Sequence, residues 1–350
     1  MNNKINLAIL TGGTSEEHEI SLLSGFNIAK AINLTTYNLY IIGINKNGEW
    51  QLYNDFNYLS NENNPKTISL KKGEDVIILP NKKRELYSLS KHKKIANIDV
   101  IFSTLHGKDG EDGNMQGLLN LSGIPYVGSK VLGSCIGMDK HYTKKILLQE
   151  NLPTAKFITL LSQNHDANLI FNTLGKTVFV KPANQGSSVG VSKVRNESEL
   201  KNAIELAFKF DNKVLIEEYI SGRELECAVL GNKNLIVSSI GEIVTSHDFY
   251  SYEAKYVDPN GATTKILSEK DIDSKIIAEI QELSKKAFNA ISCQGLARVD
   301  FFLTKDNKLF INEINTLPGF TNISMYPQLF LNKGYSYSKL IEELINLAIS

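Results

Sequence analysis

The sequence predicts an α/β fold in which a doubly wound parallel sheet is followed by strands that pair as hairpins, an α+β arrangement. The first observation is the order near the amino terminus: an apolar run at residues 5–10, then Gly12-Gly13, then a segment of helical periodicity. A strand, a glycine turn and a helix open many doubly wound domains, and ligands bind at such turns. The second observation is that, later in the chain, short runs of β-branched and aromatic residues follow one another across short turns.

Composition argues against several classes of protein. The chain has 350 residues, enough for two or three domains, and its 42% hydrophobic and 22% charged residues are ordinary for a globular protein. Lysine plus arginine equals aspartate plus glutamate at 38 each, so its charge does not favour nucleic acid or a membrane surface as a partner. Three scattered cysteines and the lack of a long apolar run predict a cytoplasmic protein without a disulfide framework or zinc site.

The first predicted domain spans residues 1–130. Thr14 and Glu17 have the spacing of a capping box at the start of its first helix. His18, like two further histidines, has no metal-ligand spacing and is predicted to lie at the surface. The remaining elements are strands at 37–44, 100–105 and 125–127, a helix at 115–121, and an irregular segment at 45–94 with short strands.

The second predicted domain spans residues 131–213 and begins in a run rich in glycine and serine. Asp139 is placed to cap a helix that ends before Pro153, so Lys140 falls in the first turn of that helix. The helix dipole disfavours a cation at this position. Either a phosphate partner or a tolerated exposed lysine would explain Lys140.

A loop rich in glycine and serine, at residues 186–190, joins two predicted strands of the second domain. Such a loop can present backbone N–H groups to phosphates. It is not a Walker loop, because no Gly-Lys-Ser/Thr follows it and β-branched residues replace the helix. A hairpin tip that binds nothing is the other interpretation left open.

The third predicted domain spans residues 214–350. It opens with a strand, a turn and a strand, and the acidic residues there indicate either a solvated sheet edge or hydrogen bonding to a purine amine and ribose hydroxyls. These residues are Glu217, Glu218, Glu224 and Glu226. A long loop from Phe249 to Thr264 is predicted to be a lid, and helices are predicted at 273–291 and 338–349.

A hairpin near the carboxyl terminus carries the sharpest prediction. Two runs of strand-forming residues flank Asp306-Asn307, which can form a two-residue turn. With that turn, Asp300 faces Glu313 and Arg298 faces Asn315. Because strand side chains alternate, all four lie on one side of the sheet.

Two opposed carboxylates repel each other unless a cation lies between them. Asp300, Glu313 and the amide oxygen of Asn315 form a set of oxygen ligands that suits Mg²⁺, with Arg298 beside them for an anion. The alternative is a surface hairpin in which Arg298 neutralises the acids. The aromatic neighbours, such as Phe301, argue against simple solvation of the hairpin.

The motifs of the chain resemble those of the D-alanine–D-alanine ligase family of the ATP-grasp superfamily over nearly the whole length. The matching segments, in order, are GGTSEEHEISLLSG, HGKDGEDGNMQG, GMDK, VKPANQGSSVGVSKV, EEYISGRELE, YSYEAKY, ARVDFFL and NEINTLPGFTNISMYP. Eight segments in the same order are more specific than any single glycine-rich loop. The resemblance implies a three-domain ATP-grasp architecture whose two antiparallel sheets clasp ATP. It also implies ATP-dependent ligation of two D-alanines through an acyl phosphate, for peptidoglycan synthesis.

The resemblance also implies the residues that bind the nucleotide and the metal. For ATP they are Lys140, Lys181, Gly186, Ser187, Ser188, Val189, Glu217, Glu218, Ile220, Glu224 and Lys255. For two Mg²⁺ ions, with Mn²⁺ as a substitute, they are Asp300, Glu313 and Asn315. The same set follows from the hairpin geometry.

On the substrate side, the resemblance implies a further set of residues. They are Glu17 for the ammonium of the first D-alanine, His106 near its carboxylate, Arg298 and the Gly319 N–H for an oxyanion, Ser324 and Met325 for the second carboxylate, and Ser187 and Tyr256 as a pair directed toward Glu17. Relatives are commonly homodimers, so a homodimer is expected. Leu267-Ser268 and Ile323 depart from the family pattern. The alternatives are a ligase for D-serine or D-lactate, and an inactive nucleotide-binding protein.

Overall fold

The computed structural model describes residues 4–62, 64, 66–245 and 262–350. Within these residues the chain forms one seven-stranded sheet, one four-stranded sheet, one five-stranded sheet and a small two-stranded pair. Helices pack on the faces of the three larger sheets. The predicted α/β fold class with separate antiparallel sheets is therefore confirmed.

The first sheet lies in the amino-terminal part of the chain. Its strands are β1 (Ile5–Gly12), β2 (Tyr37–Ile44), β3 (Trp50–Tyr53), β6 (Glu74–Ile78), β7 (Glu85–Ser88), β8 (Lys93–Asn97) and β9 (Val100–Ser103), while β4 (Leu59–Ser60) and β5 (Ser69–Leu70) form the separate pair. The order is β8-β7-β6-β3-β2-β1-β9. The predicted parallel sheet is confirmed for β2, β1 and β9, but β3, β6, β7 and β8 extend it in antiparallel fashion, so the sheet is mixed.

Helices cover both faces of the parallel part, as the doubly wound prediction requires. Helix α1 (His18–Ala31) packs through Phe26 on the face that carries Leu7. Helix α2 (Asn114–Ser122) packs through Leu119 on the opposite face, which carries Ala8. Adjacent strand residues point to opposite faces, so alternate apolar side chains of β1 serve two different cores.

Three details of the first domain were predicted wrongly. Glu17 is itself the N-cap residue of α1 and makes no side-chain capping bond, so the capping box with Thr14 is absent. His18 is buried rather than exposed, and its Nδ1 lies 2.6 Å from the Gly13 carbonyl oxygen. The predicted strand at 125–127 is a single parallel bridge between Ile101 and Tyr126.

The second sheet is antiparallel throughout, in the order β10-β13-β11-β12. Its strands are β10 (Phe157–Leu160), β11 (Val178–Pro182), β12 (Ser192–Val194) and β13 (Val214–Glu218). Helices α5 (Ala167–Leu174) and α6 (Glu197–Ala207) share a core with this sheet. Helices α3 (Val131–Met138) and α4 (Lys140–Gln149) lie earlier in the chain and contact the third sheet instead.

The third sheet is also antiparallel, in the order β16-β15-β14-β17-β18. Its strands are β14 (Gly222–Gly231), β15 (Ile236–Thr245), β16 (Ala262–Ile266), β17 (Gly295–Thr304) and β18 (Leu309–Asn315). Helix α7 (Ser274–Ala290) packs on the face that carries Leu225 and Val299. Helix α8 (Met325–Asn332) packs on the other face, and α9 (Tyr337–Ile349) crosses to α1 of the first domain.

The predicted division into residues 1–130, 131–213 and 214–350 remains a prediction. Strand β13 pairs with β10 and β11, although it follows the predicted boundary at residue 213. We propose that the change from the second to the third sheet occurs at residues 219–221, between β13 and β14. Of the predicted lid, residues 249–261 lie outside the described residues, while Thr264 is in β16.

Candidate active site

The hairpin of β17 and β18 places the charged side chains that the sequence predicted. Arg298 pairs with Asn315 and Asp300 pairs with Glu313, as expected. The strand β14 adds a third carboxylate, because Glu226 pairs with Asp300 on the other side. Three acidic residues thus occupy one row across three neighbouring strands, which we call the acidic row (Glu226, Asp300 and Glu313).

The turn that closes this hairpin differs from the prediction. Thr304 rather than Lys305 pairs with Lys308, so the loop has three residues, and Asn307 adopts a left-handed φ of 58°. This is the common three-residue hairpin loop, in which the last residue is left-handed. A bulge at Asn312 then adds one residue to β18, and this restores the predicted register at the acidic row.

Arg298 is the cation that balances the acidic row. Its Nε and Nη2 donate to the two carboxylate oxygens of Asp300, each at 2.7 Å, and its Nε lies 3.2 Å from Glu226 Oε2. Burial lowers the pKa of Arg298, but the carboxylates of Asp300, Glu226 and Glu313 together raise it well above its ordinary value. The guanidinium therefore stays charged inside the protein.

The predicted metal ligands meet in space, and their chemistry suits Mg²⁺. Asn315 Nδ2 donates to Asp300 Oδ2 at 2.9 Å, and Glu313 faces Asp300 across the hairpin. Two carboxylates and one amide are hard oxygen donors of the kind this ion takes. In this arrangement Arg298 engages both oxygens of Asp300, so Asp300 would exchange its guanidinium for the ion. Within the described ranges, no cluster of three or more His, Cys, Asp or Glu is arranged for a metal.

Two cavities meet at this hairpin. The larger, of about 1090 Å³, lies toward the first domain, and the smaller, of about 360 Å³, lies between the second and third sheets. Both are lined by Lys140, Ser187, Arg298 and Glu313. A group bound in one cavity can therefore contact a group bound in the other beside these side chains.

Glu17 and His106 lie in the larger cavity. A Cβ atom added to Gly107 or to Gly186 would lie 3.7 or 3.6 Å from Glu17 Oε2, so two loops approach this carboxylate closely. His106 is buried, and among the described residues its Nε2 has no hydrogen-bond partner. Burial lowers the pKa of His106 although Glu17 opposes the change, so the imidazole is neutral near pH 7.

The loop after β18 completes the larger cavity. A Cβ atom added to Gly319 would lie 2.9 Å from Ser324 Oγ, which leaves little room for any other residue at position 319. Ser324 Oγ accepts the N–H of Thr321 at 2.9 Å, and the N–H of Phe320 donates to Ser24 Oγ of α1 at 3.1 Å. The loop of the third domain is therefore anchored to the first domain.

Lys140 reaches the junction of the cavities from the start of α4. Asp139 caps this helix as predicted, by accepting the N–H groups of His141 and Tyr142 at 3.0 and 3.2 Å. Lys140 Nζ donates to the Gln185 carbonyl at 2.6 Å and lies 3.8 Å from Glu313 Oε2. The cap thus fixes the helix end that presents Lys140.

The glycine- and serine-rich loop next to Lys140 has an unusual backbone. Ser187 and Ser188 both have left-handed φ angles, of 51° and 61°. Residues other than glycine adopt this conformation at a cost, and such residues are concentrated at ligand sites. Val189 N donates to the Gly186 carbonyl at 3.1 Å, which closes the loop as a turn.

A set of charges lies beside the smaller cavity, which Lys181 and Glu217 line. Glu217 Oε2 lies 2.8 Å from Lys181 Nζ and 3.5 Å from Lys144 Nζ, and Lys144 also donates to Thr154 Oγ1 at 2.8 Å. Burial lowers the pKa of Lys144 to about 8, although Glu217 opposes the change. Burial also acts to raise the pKa of Glu217, but the two lysines lower it below its ordinary value.

The two cavities bring together most of the predicted site residues. The larger is lined by Glu17, His106, Lys140, Gly186, Ser187, Arg298, Glu313, Asn315, Gly319, Ser324 and Met325. The smaller adds Lys181, Ser188, Glu217, Glu218, Ile220, Glu224 and Asp300. Val189 lines neither cavity in the part of the chain described, and Lys255 and Tyr256 lie outside the described residues.

Other predicted positions have contacts beyond the cavities. Glu218 Oε1 accepts the N–H of Lys156 at 2.7 Å, so this carboxylate also joins two strands of the second sheet. Of the two departures from the family pattern, Leu267 is buried in the core beside α7, whereas the Ile323 side chain is 83% exposed on the rim of the larger cavity.

Sequence reasoning missed two residues that the fold brings to the site. Lys144 lies one helical turn after Lys140, and this i, i+4 spacing was the available signal. Glu111 lies in the segment HGKDGEDG, and its Oε2 accepts the N–H of Gly107 at 2.6 Å. Burial, and next Glu17, raise the pKa of Glu111 to about 8.

Comparison with known proteins identifies the family of the chain. Residues 6–129 match the family model described as D-ala D-ala ligase N-terminus, and residues 146–346 match D-ala D-ala ligase C-terminus. The chain is 48% identical to the D-alanine–D-alanine ligase of Oceanobacillus iheyensis, over 99% of this chain and 95% of the relative. It is 46% identical to D-alanine–D-alanine ligase A of Escherichia coli, over 99% of this chain and 96% of the relative.

Solved structures give the same answer. The D-alanine–D-alanine ligase of Coxiella burnetii superposes with a TM-score of 0.85 at 34% identity, over 99% of this chain and 95% of that one. The VanG D-Ala:D-Ser ligase of Enterococcus faecalis superposes with a TM-score of 0.86 at 34% identity, over 99% of this chain and 100% of that one. The sequence motifs, the two joined cavities and the full-length matches lead to one conclusion: the chain belongs to the D-alanine–D-alanine ligase family.

Proposed function

We propose that the protein joins two D-alanine molecules to D-alanyl-D-alanine, with ATP converted to ADP and phosphate, and that the dipeptide serves peptidoglycan synthesis. One observation carries this proposal. The larger cavity, with a carboxylate at Glu17, meets a second cavity lined by Lys140 and Lys181, and Arg298 lines both. Membership of the family supports the use of ATP and D-alanine.

The first step is the activation of one carboxylate. Glu17 binds the ammonium group of the first D-alanine, and this directs the substrate carboxylate toward the junction of the cavities. Lys140 and Lys181 hold the ATP phosphates, so that the carboxylate attacks the γ-phosphorus and forms an acyl phosphate with release of ADP. Mg²⁺, when bound by Asp300, Glu313 and Asn315, would neutralise part of the phosphate charge.

The second step is attack by the amine of the second D-alanine on the acyl carbon. The Ser324 region receives the carboxylate of this substrate. Arg298 and the N–H of Gly319 stabilise the negative oxygen of the tetrahedral intermediate, which collapses with release of phosphate. Water would hydrolyse the acyl phosphate, so the loop at 186–189 and the predicted lid serve to exclude it.

The main alternative to this proposal is a ligase that uses a different second substrate. The structural likeness to a D-Ala:D-Ser ligase keeps D-serine as a candidate, whereas the relatives at 46–48% identity are named for D-alanine alone. The test is ADP release with D-alanine alone, and then with limiting D-alanine plus D-serine or D-lactate, with products identified by mass spectrometry. We expect the D-alanine dipeptide to dominate. A dominant mixed product, or ATP binding without D-alanine-dependent ADP release, would contradict the proposal.

Three finer points are part of the same proposal. The metal is Mg²⁺, with Mn²⁺ as a substitute, the protein is a cytoplasmic enzyme, and the working form is a homodimer. The described residues contain no helix that is both long and apolar enough to span a bilayer. Light scattering coupled to size exclusion tests the dimer, and a molar mass near the 39.0 kDa of one chain would contradict it.

A further inference from the structure

Glu226 is the member of the acidic row without a role in the proposed reaction. Its side chain is on β14, directly beside Asp300 of β17, and it lines both cavities. The residue is only 5% exposed, and its neighbours Leu225 and Cys227 are completely buried. A carboxylate is costly to bury unless a cation pairs with it, so the position of Glu226 requires an explanation.

Arg298 is a cation that pairs with Glu226. Arg298 Nε lies 3.2 Å from Glu226 Oε2, on the opposite side from the hairpin partner Asn315. Arg298 also makes two hydrogen bonds of 2.7 Å to Asp300. The guanidinium of Arg298 is therefore held by two carboxylates of the acidic row, those of Glu226 and Asp300.

These two carboxylates differ in what else is required of them. The proposed cation site needs the carboxylate oxygens of Asp300, and in this structure both of them accept hydrogen bonds from Arg298. If Asp300 turned to a cation and no other acid held Arg298, the guanidinium would lose its partner in a buried place. Removing one partner of a buried charge pair is strongly destabilising in proteins, and that cost would oppose cation binding.

We propose that Glu226 is a positioning residue, which keeps Arg298 at the junction of the two cavities while Asp300 exchanges the guanidinium for a divalent cation. The inference rests on the proposed function, because it assumes that Asp300 binds the cation and that Arg298 contacts the reacting groups. Under this proposal, cation binding and the position of Arg298 depend on each other, because the Glu226 carboxylate holds Arg298 when Asp300 binds the cation.

The test is the variant Glu226→Gln, which keeps the size of the side chain and removes its charge. The first readout is the affinity of the full-length protein for Mn²⁺ in saturating ADP, measured by electron paramagnetic resonance without turnover. We expect Mn²⁺ to bind about tenfold more weakly, as is usual when a partner behind a ligand is removed. We also expect kcat to fall about tenfold or more while the KM for ATP changes less than threefold.

The matched control is Glu74→Gln, on strand β6 of the first sheet and outside the linings of both cavities. Glu74 Oε2 accepts a hydrogen bond from Lys91 Nζ at 2.6 Å. The variant removes the same charge away from the site and should leave Mn²⁺ affinity within twofold of the wild type. The conservative variant Glu226→Asp should have a higher Mn²⁺ affinity and a higher kcat than Glu226→Gln, because it keeps the negative charge.

The outcomes are separable. Equal Mn²⁺ affinity in wild type, Glu226→Gln and Glu74→Gln would overturn the inference, as would a loss of kcat that only follows a loss of folded protein in circular dichroism. If Glu226→Gln does not fold, Glu226→Asp alone decides, since unchanged Mn²⁺ affinity and kcat in it would overturn the inference. Failure of wild-type protein to release ADP with D-alanine would instead contradict the proposed function, and the Mn²⁺ comparison would remain readable.

Discussion

Glu313 and Asp300 face each other, yet they are not equivalent. Asp300 accepts hydrogen bonds from Arg298 and Asn315 and is 9% exposed, whereas Glu313 lines both cavities beside Lys140. A bulge at Asn312 interrupts the regular strand pairing just before Glu313. Glu313 is therefore the carboxylate of the pair that a bound phosphate and cation would meet first.

Replacing Glu313 by glutamine should strongly reduce ligation and leave the fold intact. The amide keeps the size of the side chain but removes one charge from the proposed cation site. We expect ADP release with D-alanine to fall about a hundredfold, at the upper end of losses for altered metal sites. Circular dichroism and the urea midpoint should match the wild type, and turnover within threefold of the wild type would exclude Glu313 as a ligand.

Glu111 should give the protein a measurable pH dependence of stability. Burial and the charge of Glu17 raise the pKa of Glu111 from its ordinary 4.5 to about 8. Between these values the folded state holds a proton that the unfolded state has lost, so this contribution to stability is present below pH 4.5 and is lost as pH rises to about 8. Glu111→Gln should remove that decline.

Urea unfolding of both proteins from pH 5 to pH 9 measures this effect. The free energy of unfolding of the wild type should fall relative to that of Glu111→Gln as pH rises, and the difference should become constant above about pH 9. Parallel curves over the whole range would mean that Glu111 is ionised in the folded protein at neutral pH.

At the residue scale, the sequence predicted which side chains can serve as ligands better than it predicted which side chains are buried. The oxygen donors at 300, 313 and 315 follow from alternation along a strand. His18 and Glu111 contact nearby backbone groups, at Gly13 and Gly107, and the sequence failed to show only their burial. Lys144 was missed because its partners lie in other segments. It meets Glu217 and Thr154, which belong to other elements.

Helix α4 depends on its cap for both stability and position. Asp139 accepts two backbone N–H groups of the first turn and pairs with Lys213. Asp139→Ala should lower the free energy of unfolding by about 1 kcal/mol, a typical value for a lost cap. Because Lys140 is the first residue of the helix, we also expect the KM for ATP to rise severalfold.

The matched control is Asp273→Ala, which removes a comparable cap from α7 on the far side of the third sheet. Asp273 accepts the N–H of Lys275 at 2.8 Å. It should cost similar stability and leave the KM for ATP unchanged, as judged by urea unfolding and steady-state kinetics. An equal KM effect in both variants would show that general destabilisation, not Lys140, is responsible.

At the scale of elements, long regular segments were predicted well and short ones poorly. Strand β2 has the predicted bounds 37–44, and the helix predicted at 273–291 is α7, Ser274–Ala290. The hairpin turn was predicted with two residues and has three, because Asn307 alone takes the left-handed position. Residues 125–127 make one bridge only, since tertiary contacts decide whether so short a run forms a strand.

The whole molecule encloses its site between separate sheets, so a nucleotide should stabilise it. A ligand that binds only the folded state at a hundred times its Kd adds about 2.7 kcal/mol. We expect a non-hydrolysable ATP analogue with Mg²⁺ to raise the melting temperature by several degrees, and Lys181→Ala to remove most of the rise. Lys201→Ala, an exposed lysine on α6, is the control. An equal rise in both variants, by scanning fluorimetry, would place the nucleotide elsewhere.

The path of the chain between domains is what the sequence predicted least. Helix α9, at the carboxyl end, shares a core with α1 through residues such as Leu344 and Phe26. Helices α3 and α4 contact the third sheet although they precede the second. Amphipathic periodicity shows that a helix has a buried face, but not which sheet covers it.

The three-residue tip of the β17–β18 hairpin has a practical consequence for work on this protein. Residues 305–307 are exposed, and the register at the acidic row is set at the bulge, five residues beyond the tip. Added length at the tip would therefore be absorbed in solvent, and loop closure becomes only slowly less favourable as a loop grows. A short peptide tag can be grafted there, or a dye-bearing cysteine once the exposed Cys135 is replaced, which would give a reporter attached to the strands that carry Arg298 and Glu313.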